Sequence, residues 1–97
     1  MPFEIILAPE AMAGLKALPA RFRPMVRAAL ETHLRHEPMK TSLSRIKRLR
    51  GLRQPQYRLR VGEVRVFYDI VGSTVEILAI VAKSEAEQWL RQFGEPG

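Results

Sequence analysis

Arg58, Arg60 and Arg65 flank a Gly62-Glu63 pair in the stretch Tyr57 to Ile70, where alternating apolar residues mark two strands. A two-residue turn at Gly62-Glu63 pairs Val61 with Val64, Arg60 with Arg65, Leu59 with Val66 and Arg58 with Phe67. All three guanidinium groups then share one face of a hairpin. Like charges opposed across a ladder destabilise it, so the pattern calls for an anion as the missing partner. Guanidinium offers paired N–H donors that match a phosphate and stays protonated near neutral pH. The chemistry open to this face is recognition of a phosphate and stabilisation of negative charge developing on it.

The surrounding charge agrees. The chain has 97 residues, a net charge of +6 and a pI near 10.5. Residues 40 to 65 hold nine of its sixteen basic side chains and one acid, Glu63, a local charge of +8. The remainder sums to −2, so a basic patch sits on a nearly neutral body, the footprint of a polyanion-binding protein. Without cysteine the chain has no disulfide, thiolate nucleophile or cysteine-ligated zinc. No metal constellation, phosphate-cradling glycine loop or Ser-His-Asp arrangement is present, and no metal or cofactor is expected. His33 and His36 read as an exposed helix end that favours positive charge. Glu4 stands where a signal peptide needs positive charge and no apolar run is long enough to span a bilayer, so a cytoplasmic protein without membrane contact is expected.

The elements that must position the arginines follow from periodicity. Phe3 to Leu7 reads as a strand, and Pro9 with Glu10 opens a helix carrying Ala11, Leu15 and Leu18 to the stop at Pro19. Ala20 to Glu37 reads as a second helix with Phe22, Met25, Val26, Ala29, Leu30 and Leu34 in its apolar stripe. Residues 39 to 54 show no period and read as a basic loop pinned by Ile46, Leu49 and Leu52. A Gly72-Ser73 turn returns Thr74 to Ala82 antiparallel to Val64 to Val71. Ser84 to Phe93 forms a terminal helix, with Ser84 and Glu87 spaced for a capping box. Strict alternation sends Ala79 and Val81 to the helices and Leu78, Ile80 and Ala82 to the arginine face, where Phe67, Leu78 and Ile80 pack under the terminal helix. The expected fold is α+β, one domain over residues 1–97, a helical hairpin on an antiparallel sheet in β-α-α-β-β-β-α order.

The string Arg48-Leu49-Arg50-Gly51, the run Tyr57-Arg58-Leu59-Arg60-Val61-Gly62-Glu63-Val64-Arg65-Val66-Phe67-Tyr68 and this element order resemble the RelE/ParE superfamily of bacterial toxins. The resemblance implies a toxin of a type II toxin-antitoxin system with a cognate antitoxin as partner. It implies one of two activities, RelE-like cleavage of messenger RNA on the ribosome or, alternatively, ParE-like inhibition of DNA gyrase without nuclease activity; an inactive member that only binds its partner is a third reading. In the nuclease reading, Arg58, Arg60 and Arg65 bind the scissile phosphate and Lys83 transfers a proton, with Lys47 the weaker candidate. Lys47, Arg48, Arg50 and Arg53 hold nucleic acid, and Phe67 or Trp89 stacks a base. This chain departs from RelE-type sites: arginines replace two lysines at Arg58 and Arg60, Ser84 replaces an arginine, and Leu90 replaces a tyrosine.

Overall fold

The computed structural model describes residues 2–97. Strand β4 (Tyr57–Val61) and strand β5 (Val64–Val71) form the arginine hairpin in the register its turn dictates, Arg60 opposite Arg65 and Arg58 opposite Phe67. Gly62 at φ +55° and Gly72 at φ +61° supply the left-handed residue of the two tight turns, a conformation that costs a side chain dearly. Strand β6 (Thr74–Ala82) returns antiparallel to β5. The main sheet runs β1-β6-β5-β4-β2, where β1 is Glu4–Leu7 and β2 is Ile46–Arg48.

The α+β class holds, and the sheet is mixed where an antiparallel one was expected. Strand β1 lies parallel to β6, pairing Ile5 with Val75 and Leu7 with Ile77. Two α-helices and four strands separate β1 from β6 in the chain, so no hairpin forces the pair antiparallel. The expected loop is also corrected: β2 pairs with β4, and β3 (Leu52–Gln54) pairs with a short C-terminal strand, β7 (Glu95–Pro96). These strands are two or three residues long, too short for an alternation signal.

Helix α1 (Pro9–Ala17) and helix α2 (Phe22–Ala29) cover one face of the sheet. Leu15, Val26, Leu30 and Leu34 join Leu59, Val66, Tyr68, Ile77 and Ile80 in one buried cluster. The second helix does not run to Glu37 as an α-helix; Leu30–Leu34 form a π-helical turn. Val26, Leu30 and Leu34 recur every four residues, a stripe that drifts around a 3.6-residue helix. The wider turn returns Leu34 to the face of Leu30. Met25, assigned to the stripe, is instead largely exposed.

Helix α1 approaches the sheet closely at Gly14, where an added Cβ would collide with the Ile80 carbonyl oxygen. Neither backbone can yield without moving the helix. Gly14→Ala is expected to destabilise the protein by about 1–3 kcal/mol despite its better helix propensity. Urea unfolding checks it, and an unchanged or raised midpoint would contradict the packing argument.

A bulge in β6 corrects the face assignment. Phe67 pairs with Ala79 but Tyr68 pairs with Ile77, leaving Leu78 unmatched. One extra residue inverts the alternation beyond it. Ile80 therefore faces the α1/α2 core opposite Val66, with Ala82 opposite Val64. Ala79 and Val81 lie on the arginine face, opposite Phe67 and Arg65.

On that second face, helix α3 (Lys83–Phe93) covers Phe67, whose ring stacks on Trp89 with centroids 4.9 Å apart and planes 8° from parallel. The expected capping box is absent. Ala82 is the N-cap with no side-chain cap, because β6 runs straight into the helix and the Lys83 N–H donates to the Glu63 carbonyl at 2.8 Å. Ser84 thus lies inside the first turn, and Glu87 pairs with Arg91 at 3.3 Å.

The link between β3 and β4 is fixed by a buried carboxylate. Asp69 accepts from the Gln56 N–H at 2.7 Å and from Gln54 Nε2 at 2.8 Å, while the Ile70 N–H donates to Gln56 Oε1 at 2.9 Å. Replacing Asp69 by Ala leaves the Gln56 N–H and Gln54 Nε2 without their acceptor in a partly buried site. The expected loss is about 1.5–3 kcal/mol, measured by thermal unfolding, and a loss below about 0.5 kcal/mol would show that water replaces the carboxylate freely.

Candidate phosphate-binding site

The arginine face is built by pairing across three strands. Strand β2 adds Lys47 directly opposite Arg58, and the Arg60 N–H donates to the Arg45 carbonyl at 2.8 Å, so the row of cations extends beyond the hairpin. Arg65 is buried, Arg58 is half-buried and Arg60 is exposed. Arg65 Nη1 donates to the carbonyls of Gly62 at 2.8 Å and Val64 at 3.0 Å, which ties the guanidinium to its own turn. Arg58 Nε is buried and has no hydrogen-bond partner among the described residues. An unpaired buried donor on a cation carries a desolvation cost that an incoming anion would remove.

Electrostatics repeat the point. Burial, and then the Arg60 charge, hold Arg58 below the ordinary arginine value. Burial and the charges of Arg58 and Arg60 do the same to Arg65, against a small opposing pull from Glu63. Both side chains remain cations near neutral pH, each raising the potential at the other.

The remaining sequence candidates divide by position. Lys47 belongs to the face, a stronger placement than its sequence position indicated. Lys83 is exposed at the first turn of α3, beside the strand end that pairs with Val64. Arg48 donates to the Gln56 carbonyl at 2.7 Å and lies over the Tyr57 ring at 5.1 Å. Arg53 pairs with Glu95 of the C-terminal strand. Arg50 is exposed beside Gly51. Trp89 is engaged within the body: it stacks on Phe67, abuts Phe93, and its Nε1 donates to Glu10 at 2.6 Å. Phe67 is fully buried under that stack and offers no surface to a base.

Sequence reasoning passed over Arg45, whose Nη1 lies 3.0 Å from His33 Nε2. Burial first, and the Arg45 charge second, hold His33 below its ordinary 6.5, against the expectation of a helix end that favours a charged histidine. The unfolded chain therefore binds the proton more readily. This contribution to stability is complete above about pH 6.5 and is lost as pH falls from there through the folded-state value. Arg45→Gln should raise the His33 titration midpoint only in part, since burial remains. Imidazole NMR would show it, and a midpoint unaltered by that substitution would break the link.

A family model described as the ParE toxin of the type II toxin-antitoxin system parDE matches residues 5–87. The chain belongs to this toxin family. The toxin also resembles a chain of the RelBE2 toxin-antitoxin complex from Mycobacterium tuberculosis, with 26% identity and a TM-score of 0.64 over 84% of this chain and 99% of that one. It shares its fold with chains of the RelB-RelE complex from Methanococcus jannaschii (20% identity, TM-score 0.66, covering 87% and 96%) and the RelE-RelB complex from Pyrococcus horikoshii (21%, 0.69, covering 86% and 97%). No curated protein matches it.

Proposed function

We propose that this toxin acts on RNA at the ribosome, with Arg58, Arg60 and Arg65 gripping the scissile phosphate. The observation that supports the reading most is the buried, unpartnered Arg58 Nε on a face of mutually opposed cations. In this reading the 2′-hydroxyl attacks phosphorus, the 5′-oxygen leaves, and the guanidinium groups stabilise the charge on the pentacoordinate phosphate. Lys47 and Lys83 are the residues assigned to proton transfer, Lys47 first because it lies directly opposite Arg58. A cognate antitoxin is the partner that the family and the three toxin-antitoxin complexes described above support. Toeprinting on translating ribosomes tests the proposal: codon-linked cleavage by the wild type, strongly reduced with Arg60→Ala, is the expected result. No cleavage at any dose sinks it.

A second reading is inhibition of DNA gyrase without nuclease activity. It is favoured by one observation: the positions opposite the three arginines are Lys47, Phe67, Val81 and one another, with no carboxylate or imidazole among them. Such a face holds a phosphate better than it moves protons. This reading expects stabilised gyrase–DNA cleavage complexes with messenger RNA intact, and normal supercoiling at saturating toxin would exclude it.

A further inference from the structure

A second basic hollow opens where the π-helical turn ends and the chain leads into β2. It encloses about 400 Å³, and its lining includes His33, His36, Lys40 and Arg45 with Glu37 as the one acid. Glu37 sits 3.8 Å from Lys40 and cannot balance the rest. Among the described residues no acid forms an ion pair with Arg45. Its guanidinium instead donates to His33 Nε2, which requires a neutral ring with the proton on Nδ1. That contact satisfies one N–H but leaves the positive charge uncompensated. The Arg45 segment is nevertheless firmly held, since Ser42 Oγ accepts from the Arg45 N–H at 2.9 Å.

The hollow adjoins the Arg60 end of the arginine face. Ser44 and Arg45, which line it, also line the small cleft containing Arg60 and Gly62. Arg45 thus stands between the arginine face and a hollow whose other basic side chains are the two histidines and Lys40 with its partner Glu37, and the Arg45 charge itself has no carboxylate partner among the described residues. We infer that the hollow is a second phosphate-binding subsite, in which Arg45, Lys40 and His36 take a phosphate group next along from the one on Arg58, Arg60 and Arg65. The chemistry required is a phosphate dianion or a backbone phosphodiester, and either source presents the same oxygens to the paired guanidinium donors. The assignment to a nucleic-acid strand rests on the RNA reading above; the phosphate-binding chemistry does not.

The first arm of the test follows the His33 and His36 imidazole resonances while the intact toxin is titrated with inorganic phosphate, against chloride at equal ionic strength. Saturable shifts specific to phosphate are expected, absent in Arg45→Gln and retained in Arg58→Gln, with circular dichroism confirming that both variants are folded. Equal shifts in chloride, or shifts that persist in Arg45→Gln, overturn the subsite. The second arm measures the salt dependence of binding to a short single-stranded oligoribonucleotide. A strand phosphate in the hollow lowers the slope of log Kobs against log salt by about 0.7 in Arg45→Gln. Phosphate-specific shifts with an unchanged slope would instead assign the hollow to free phosphate and overturn the strand assignment. The phosphate titration does not depend on ribosomal cleavage, so the subsite and the RNA reading fail separately.

Discussion

If the toxin cleaves RNA on the ribosome as proposed, Arg60→Ala is expected to cut that cleavage by about 100-fold or more while leaving the fold as stable as before, or more so. The loss of rate follows from removing one preorganised cation from a charge-stabilising set, where single donors are worth about 10²–10³ in rate. Unaltered or raised stability follows from the ladder. Arg60 is exposed, lies opposite Arg65 and lowers the pKa of both Arg58 and Arg65 by its charge. Removing it relieves repulsion and breaks no hydrogen bond of its side chain that holds the turn. Arg65→Ala is a poorer probe because its guanidinium donates to Gly62 and Val64, so lost activity there could be lost turn geometry. The paired readout is decisive: activity and melting temperature falling together would make Arg60 structural, and undiminished cleavage would remove it from the site. Such opposition of activity and stability is the usual mark of a functional residue.

The hairpin carried this information in its sequence because its register is over-determined. A two-residue turn at Gly62 and strict alternation on both sides leave one pairing, and the observed partners are those. The face assignments of β6 could not be read the same way. Alternation places Ala79 and Val81 in the core, and only the pairing of Phe67 with Ala79 and Tyr68 with Ile77 reveals that Leu78 is extra. A bulge changes neither composition nor the types of residue that follow, so an apolar strand conceals it. The segment from Arg45 to Arg53 hid its strands for another reason: its pairing partners are β4 and the C-terminal Glu95–Pro96, contacts that no local pattern encodes. The site suffered the same limit. Lys47 gained importance through its position opposite Arg58, and Arg45 through a contact with His33 twelve residues earlier. Trp89 lost its assigned role because its ring already has a partner in Phe67.

That stack carries the other large effect. Phe67→Ala should destabilise the toxin by about 3–5 kcal/mol, the range for deleting a fully buried aromatic ring. Phe67 has no measurable exposure and stands outside the α1/α2 cluster, and its ring supplies the stacked apolar surface beneath Trp89. Helix α3 has no buried residue of its own and no side-chain cap. Its attachment rests on the half-buried Trp89 and Leu90, the Glu10 contact to Trp89 Nε1, and the short β7 pairing with β3. Without the Phe67 ring, α3 should loosen before the rest unfolds, because the core on the opposite face is untouched. Tryptophan fluorescence, arising from the single Trp89, would report that first step, and far-ultraviolet circular dichroism the second. The two transitions coincide in the wild type and separate in the variant. A single coincident transition shifted by less than about 1 kcal/mol would mean that the stack holds nothing in place. Phe67 is also the residue opposite Arg58, so the same substitution loosens the wall of the phosphate site. Under the proposed RNA cleavage, the rate should fall in Phe67→Ala even below its melting range, whereas Phe67→Leu, which keeps most of the buried volume, should restore much of both stability and rate.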